Sequence, residues 1–306
     1  MDVEKLNQKC CRMVLSVNKK TSRLAVLGEI ARYPILITML AQCLSYKLSL
    51  MQRKTTSSLL GHVMTEMSEM SDRGHDSWLT RVVKIENILK IPRIYGPIKS
   101  AGKKLTSFLK SKFDRFWLDK VNESKIGLDN IDHNKLRTYK CYKASFTREP
   151  YLDLVRNRNQ RSYLTRLRVS SHNLAIERGR HTRPVTPLAQ RICKYCKPPD
   201  PPDPPSRPCT SPTTPWSQTP RTRSLIAQVD NEQHFLMSCP IFSVERNCIF
   251  GKMSSIEPNF RTLGDKDKFV KLLCPTSPQM AKLSNKLIKI MFESWYLGQP
   301  INRFEA

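Results

Sequence analysis

The chain has 306 residues, with 52 Lys and Arg against 26 Asp and Glu, which gives a formal net charge of +26 at pH 7. A composition that is 39% hydrophobic and 25% charged excludes a wholly disordered acidic chain and a protein with several membrane spans. The chain contains neither GxGxxG nor GxxxxGK[ST], which argues against a Rossmann or P-loop enzyme. A pI near 9.9 indicates a polyanionic partner, either nucleic acid or an anionic membrane surface.

The first residues, MDVEKLNQKCC, contain an early acid and no apolar h-region, so no secretory signal is predicted. The longest apolar stretch, residues 35–44, is about half of the ~20 residues that a membrane span requires. We therefore expect no membrane partner and a reducing compartment, nuclear or cytoplasmic. In such a compartment the ten cysteines are expected to be free thiols or metal ligands.

Helical periodicity dominates the chain, and the predicted fold class is mostly α. The expected architecture is a helical array with a small CCHC-type zinc-binding module and a disordered Pro-rich insertion. Helices are predicted over residues 3–15, 22–30, 33–50, 77–91, 100–123, 134–146, 150–155, 234–253 with a break at Pro240, 266–273 and 279–296. Four regions follow: an N-terminal helical region (1–74), a basic helical domain (75–190), a zinc-binding module (191–254) with an insertion at 197–229, and C-terminal helices (255–306).

The helix predicted over residues 100–123 combines a wide apolar stripe with a basic face. Lys103, Lys104 and Lys110 lie off the stripe. The pattern is compatible with an ordinary core helix that has a solvated face, or with a surface that contacts phosphates.

Residues 156–197 carry nine Arg and two Lys against a single acid, Glu177. A segment this one-sided cannot neutralise itself by internal ion pairs, so it must stay hydrated or bind phosphates. The candidate phosphate-binding residues are Arg158, Arg161, Arg166, Arg168, Arg178 and Arg180, and the three lysines of the preceding helix extend the set.

Residues 198–220 hold ten of the 21 prolines and predict an extended or disordered loop. Such a loop is compatible with a ligand for an SH3 or WW domain, or with a tolerated insertion.

One set of residues has metal-ligand spacing. Cys193 and Cys196 form a CxxC, and His234 and Cys239 form an HxxxxC. Three sulfurs and one imidazole make a closed tetrahedral shell of the kind that structural zinc prefers, and Tyr195 and Phe235 stand beside the ligands.

The 37 residues between the two halves (197–233) leave alternatives open. The four residues could be unrelated core residues, and Cys209 or Cys248 could compete as the fourth ligand. A redox CxxC is disfavoured, because no strand surrounds it. The gap itself is no thermodynamic obstacle, since a fourfold longer loop costs only about 1.2 kcal/mol against roughly 10–16 kcal/mol from structural zinc.

Several segments resemble the region downstream of the polymerase in non-LTR (LINE-type) retrotransposon reverse transcriptases. They are LGEIARYPI at 27–35, LRTY at 136–139, EPYL at 149–152, YLTRLR at 163–168, IERGR at 176–180, RICKYC at 191–196 and EQHFLMSC at 232–239. The last two resemble the zinc-binding tail of these polyproteins. The resemblance implies Cys193, Cys196, His234 and Cys239 as ligands.

The chain departs from this family in two respects. The halves of the zinc motif are usually close together in the family, whereas here a Pro-rich segment separates them. The aromatic-x-Asp-Asp element of the polymerase and the acidic cluster of the endonuclease have no counterpart, since the chain contains no Asp-Asp pair. The sequence thus resembles a C-terminal fragment of such an element, and the resemblance implies a protein that is not an enzyme.

The expected function is non-catalytic binding of RNA or DNA through an Arg-rich surface beside a structural zinc site. The alternatives are a scaffold that recruits an SH3- or WW-type partner through the Pro-rich loop, and a decayed retroelement fragment with no retained role. A metal-dependent hydrolase is disfavoured, because the sequence shows neither paired carboxylates nor an open metal position.

Overall fold

A computed structural model describes residues 3–52, 58–92, 98–123, 125, 134–196 and 228–297. These residues form α-helices, short 3-10 helices and one π-helical turn. The only pairing of extended backbone among them is an isolated antiparallel bridge between Ile192 and Val229. The prediction of a mostly α fold is confirmed, and the predicted Pro-rich loop (198–220) lies outside the described residues.

The chain divides into two compact units. Unit 1 comprises Met1–Val14, Arg23–Glu123 and Lys143–Arg148, and unit 2 comprises Leu15–Ser22, Ser124–Tyr142 and Glu149–Ala306. The four regions predicted from the sequence do not coincide with these units. The predicted zinc module and the C-terminal helices belong to one unit, because the last helix packs against the helices on both sides of the zinc motif.

The described residues of unit 1 form an array of six helices: α1 (Val3–Leu15), α2 (Arg23–Ile30), α3 (Ile35–Gln52), α4 (Leu59–Asp72), α5 (Trp78–Leu89) and α6 (Ile98–Asn122). One apolar cluster in this unit joins Leu44 of α3 and Val82 of α5 to Leu105 and Leu109 of α6. The sequence offers Asp76 or Ser77 as the cap of α5, and the structure uses Ser77, whose hydroxyl accepts a hydrogen bond from the Thr80 N–H at 3.1 Å.

Helix α1 has the predicted bounds but buries a different face. The apolar residues that defined its predicted stripe, Leu6 and Met13 among them, are exposed, whereas Asn7 and Cys11 are buried. The Asn7 amide donates to Glu4 at 3.5 Å, and Glu4 also accepts the Ile35 N–H at 2.9 Å. These hydrogen bonds satisfy polar groups on the buried face of α1. From the apolar pattern alone, that face would be expected to lie in solvent.

Among the described helices, α3 alone is long and apolar enough to cross a membrane by length and composition. Its 18 residues have a mean hydropathy of 1.2, and 22% of them are buried. This is weak evidence for a span, because core helices of soluble proteins pass the same test and the buried face of α3 packs in the cluster with α5 and α6.

The part of unit 2 that the structure describes also forms six α-helices: α7 (Tyr151–Leu154), α8 (Arg158–Arg168), α9 (Ala175–Arg178), α10 (Ser243–Ile256), α11 (Asp265–Leu273) and α12 (Pro278–Leu297). Asn157 caps α8 by accepting the N–H groups of residues 159 and 160. Helix α12 packs against α8 and α10, and its buried face includes Leu287, Met291 and Phe292.

The helix predicted over residues 134–146 is wrong. This segment forms turns and one 3-10 helix, Tyr139–Cys141. The Asn134 side chain accepts the Leu136 N–H at 2.9 Å, which favours a turn, and Arg137 and Thr138 bond a buried carboxylate from a distant part of the chain. Tertiary hydrogen bonds therefore override the local helical periodicity.

Candidate metal centre

The structure brings the four predicted ligands together in unit 2. One sulfur each from Cys193, Cys196 and Cys239 and one ring nitrogen of His234 all lie within 4.8 Å of one another. All four residues are buried, and no other described residue joins this group. Cys248 lies outside the group and Cys209 lies outside the described residues.

Two of the separations between ligand atoms match the edges of a tetrahedron around one ion. Metal–sulfur bonds of about 2.3 Å and metal–nitrogen bonds of about 2.0–2.1 Å imply a sulfur–sulfur edge near 3.8 Å and a sulfur–nitrogen edge near 3.5 Å. The Sγ atoms of Cys193 and Cys239 are 3.8 Å apart, and Cys196 Sγ lies 3.5 Å from His234 Nε2. The cluster is therefore shaped to hold a metal ion.

The isolated β-bridge aligns the two halves of the motif. The Cys193 N–H donates to the Gln228 carbonyl at 2.9 Å, and the Asp230 N–H donates to the Arg191 carbonyl at 2.8 Å. The first pair of ligands and the residues leading to His234 thereby lie side by side. This pairing closes the long loop between the halves, which sequence spacing could not establish.

A π-helical turn, His234–Ser238, places the second pair of ligands. The Cys239 N–H donates to the His234 carbonyl at 2.8 Å, five residues back, and the chain leaves the turn at Pro240. The His234 Nδ1–H donates to the Gln228 side chain at 2.6 Å. The bond fixes the tautomer, so the lone pair of Nε2 faces the three sulfurs.

The three thiols of the cluster differ in their pKa values. The hydrogen bond with Cys239 lowers the pKa of Cys193 to about 4 against the opposing effect of burial. Burial raises the pKa of Cys196 to about 11, and the hydrogen bond to Cys193 raises the pKa of Cys239. A dication bound among these four residues would favour the thiolate form of all three cysteines.

Aromatic packing joins the cluster to α12. Phe235, which follows a ligand, is buried with its ring centroid 4.7 Å from that of Phe292 and 5.3 Å from that of Phe242. The Tyr195 hydroxyl donates to the Trp295 carbonyl at 3.2 Å. These are the two aromatic residues that the sequence placed beside the ligands.

The β-bridge between Ile192 and Val229 also anchors the Arg-rich loop after α9. The Asp230 carboxylate accepts the Ala175 N–H at 2.7 Å, at the start of α9. The Arg191 guanidinium donates to the carbonyls of Ile176 at 2.8 Å and Thr186 at 3.0 Å. The residues next to the cluster thus hold α9, which ends at Arg178, and the loop that follows it.

Gly179 gives a test of this anchor. A Cβ at residue 179 would lie 2.7–2.8 Å from the Arg191 side chain, which is buried and hydrogen-bonded and cannot step aside. We expect Gly179→Ala to lower the free energy of unfolding by about 1–3 kcal/mol. The control is Gly251→Ala in α10, which meets no atom within 4 Å and should raise it by about 0.5–1 kcal/mol. Denaturant unfolding measures both values. The anchor would be contradicted if the two substitutions changed the free energy of unfolding in the same direction.

Among the six arginines predicted to bind phosphates, Arg168 requires a correction. Its side chain is 0% exposed and pairs with Glu149, and it also donates to the Leu273 carbonyl. The rings of Tyr142 and Tyr151 lie 4.5 Å and 4.9 Å from its guanidinium carbon. Arg168 is therefore part of the core and is removed from the phosphate-binding set.

The other five differ in what their guanidinium groups contact. Arg161 is half-buried and donates to three carbonyls at the end of α7, and Arg180 is half-buried and pairs with Glu177 at 3.1 Å. Arg158, Arg166 and Arg178 are exposed. Arg156 and Arg183 are also exposed, although the candidate set omitted them.

Glu232 is a buried polar centre that sequence reasoning missed. Its carboxylate accepts hydrogen bonds from Arg137 at 3.0 Å, Ser170 at 2.9 Å and His172 at 3.1 Å. Burial raises its pKa, but the positive charge of Arg137 more than compensates and holds the pKa well below its usual range. The nearest sequence signal is its place in the EQH segment before the metal ligand.

Lys103, Lys104 and Lys110 are exposed on α6 of unit 1, and the Lys110 ammonium lies 5.0 Å from the centre of the Tyr33 ring. Their contribution to phosphate binding stays a prediction.

No protein-family model, curated protein or solved structure matches this chain.

Proposed function

We propose that the cluster holds a structural zinc ion and that the chain is a non-catalytic, retrotransposon-derived protein that grips RNA or DNA through exposed arginines of unit 2. Three sulfurs and one imidazole form the donor set that zinc favours, and a closed shell of four leaves no position for a reacting group. The zinc would fix the bridge that carries the Arg-rich loop. The retrotransposon origin rests on the sequence resemblance.

One observation carries the nucleic-acid proposal. Over residues 156–196 the single acid, Glu177, is 3% exposed and already paired with Arg137 and Arg180, whereas five arginines are exposed. The five are Arg156, Arg158, Arg166, Arg178 and Arg183. The charge that this segment presents to solvent is thus of one sign, and a chain of phosphates is the partner that matches it.

Salt dependence tests the proposal. Because each neutralised phosphate releases counterions, we expect the affinity for single-stranded RNA to fall steeply with salt. Substituting Arg158, Arg166 and Arg178 by Gln should reduce the log–log slope by about 0.7 for each phosphate that is no longer neutralised. Fluorescence anisotropy over a salt series measures both quantities.

The matched control is Arg261→Gln, which removes an exposed arginine of unit 2 outside the Arg-rich segment. It should leave the slope unchanged. A flat salt response of the parent protein, or equal slopes for the triple variant and the parent, would contradict the proposal.

The scaffold alternative depends on the Pro-rich loop, which lies outside the described residues. Deletion of residues 198–220 discriminates between the two functions. Under the proposal RNA affinity persists after the deletion, whereas under the alternative the deletion abolishes binding of an SH3- or WW-type partner.

A further inference from the structure

A cavity of about 310 Å³ opens in unit 2, away from the four metal ligands. Its walls come from α8, α12 and the segments around residues 16–18 and 171–173. The lining residues used below are Tyr163, Arg166, His172, Asn173, Phe292 and Tyr296. The volume is at the lower end of the range for sites that enclose small organic groups.

Nearly parallel rings line this cavity. The ring centroids of Tyr163, His172 and Tyr296 each lie 6.2–6.3 Å from that of Phe292, and their planes are tilted from it by 26–32°. Phe292 is 3% exposed, whereas Tyr296 is 55% exposed. The buried Phe292 ring thus supports Tyr296, whose exposed ring is the one available to a further flat group.

Polar groups surround the rings. The Arg166 guanidinium lies 5.9 Å from the Tyr163 centroid, and its Nε donates to the Ser16 carbonyl at 3.0 Å. The Asn173 side chain lines the cavity together with Tyr296. An amide and a fixed guanidinium can contact the polar edge of a flat ligand and a phosphate attached to it.

His172 adds a buried polar atom at the cavity wall. Its Nε2 donates to Glu232, because a carboxylate only accepts, and this leaves Nδ1 as an acceptor in the uncharged form of the ring. Among the described residues, Nδ1 has no hydrogen-bond partner although it is buried. Such an atom is stabilised by a donor from a ligand.

A second cavity, of about 150 Å³, shares Asn18, His172 and Asn173 with the first. It extends towards Lys20 and Arg178. Cationic side chains therefore line both neighbouring cavities, with the rings in the first, and the one carboxylate in the second, Glu177, is already paired with Arg137 and Arg180. This order suits one nucleotide of a continuous strand, with its base among the rings and its flanking phosphates beside the cations.

We infer that the aromatic cavity bounded by Tyr163, Phe292 and Tyr296 binds an unpaired base of a single strand whose phosphates the arginines hold. The inference rests on the proposed function and adds the class of nucleic acid to it. A duplex would present paired and stacked bases, whose faces are not free to meet these rings.

The test compares two strands of equal length and charge, a single-stranded uridine oligonucleotide and an abasic strand. Tyr296→Ala should weaken binding of the uridine strand about five- to 100-fold and leave binding of the abasic strand unchanged. Tyr296→Phe, which keeps the ring, should retain the parent affinity. Tyr46→Ala removes an equally exposed tyrosine of unit 1 and is the control. Circular dichroism and bound zinc verify that each variant is folded.

Equal affinities of the parent and Tyr296→Ala for the uridine strand would overturn the inference, as would an equal loss on both strands. The inference would also be overturned if uridine monophosphate competed at concentrations lower than those at which the uridine strand binds. The cavity would then be a site for a mononucleotide. A parent that binds neither strand would overturn the proposed function itself. A parent that binds both strands, with no effect at Tyr296, would overturn only the inference.

Discussion

Substituting Cys193 by Ser is expected to reduce bound zinc from about one ion per chain to near zero. A serine hydroxyl stays protonated at neutral pH and cannot replace the thiolate, so three ligands remain. Structural zinc contributes roughly 10–16 kcal/mol in zinc-finger peptides, and unit 2 should lose a large part of such a contribution. Elemental analysis of the purified protein, with thermal unfolding before and after chelation, measures both effects.

The matched control is Cys248→Ser, which changes a half-buried cysteine of α10 outside the cluster. This variant should keep its zinc and its response to chelators. Absence of zinc from the parent protein would eliminate the metal proposal. Equal losses of bound zinc in Cys193→Ser and Cys248→Ser would show that the loss is not caused by removal of a metal ligand.

Glu149→Gln is expected to lower the free energy of unfolding by about 3–5 kcal/mol. The substitution keeps the size of the side chain but removes the charge that pairs with Arg168, which is 0% exposed. A guanidinium without its carboxylate then stays buried, and desolvation makes this costly. Denaturant unfolding followed by circular dichroism measures the loss.

Asp76→Asn is the control, since it breaks an ion pair with Arg81 in which both side chains are exposed. No measurable change in stability is expected. The double variant Glu149→Leu, Arg168→Met should recover part of the loss, because apolar residues of similar volume remove both charges. A Glu149→Gln protein as stable as the Asp76→Asn protein would show that the buried pair contributes little.

A fall in RNA affinity is not expected for folded Glu149→Gln protein, because Arg168 does not reach solvent. This separates the structural arginine from the exposed ones. The RNA affinity of Glu149→Gln is compared with that of the triple Gln variant. The comparison tests whether some arginines of this segment belong to the core and others to the binding surface.

Local sequence determined most helices and the identity of the metal ligands. The cap at Ser77 and the periodicity of α6 are short-range signals, and both predicted their helices closely. The ligand types and their paired spacings were sufficient to predict the cluster at Cys193, because a thiol or imidazole pair on one turn is a local property. Their meeting across 37 residues depended on the bridge of Ile192 with Val229, which has no sequence signal.

Tertiary structure alone decided which charged and polar groups are buried. Arg158 and Arg168 belong to the same helix and look alike in the sequence, yet one is exposed and the other is paired in the core. The difference comes from Glu149 and the Leu273 carbonyl, which reach Arg168 from other parts of the fold. Burial of a charge depends on partners that are distant along the chain. The local sequence pattern therefore determines secondary structure and ligand chemistry. Packing determines which arginines remain available to phosphates.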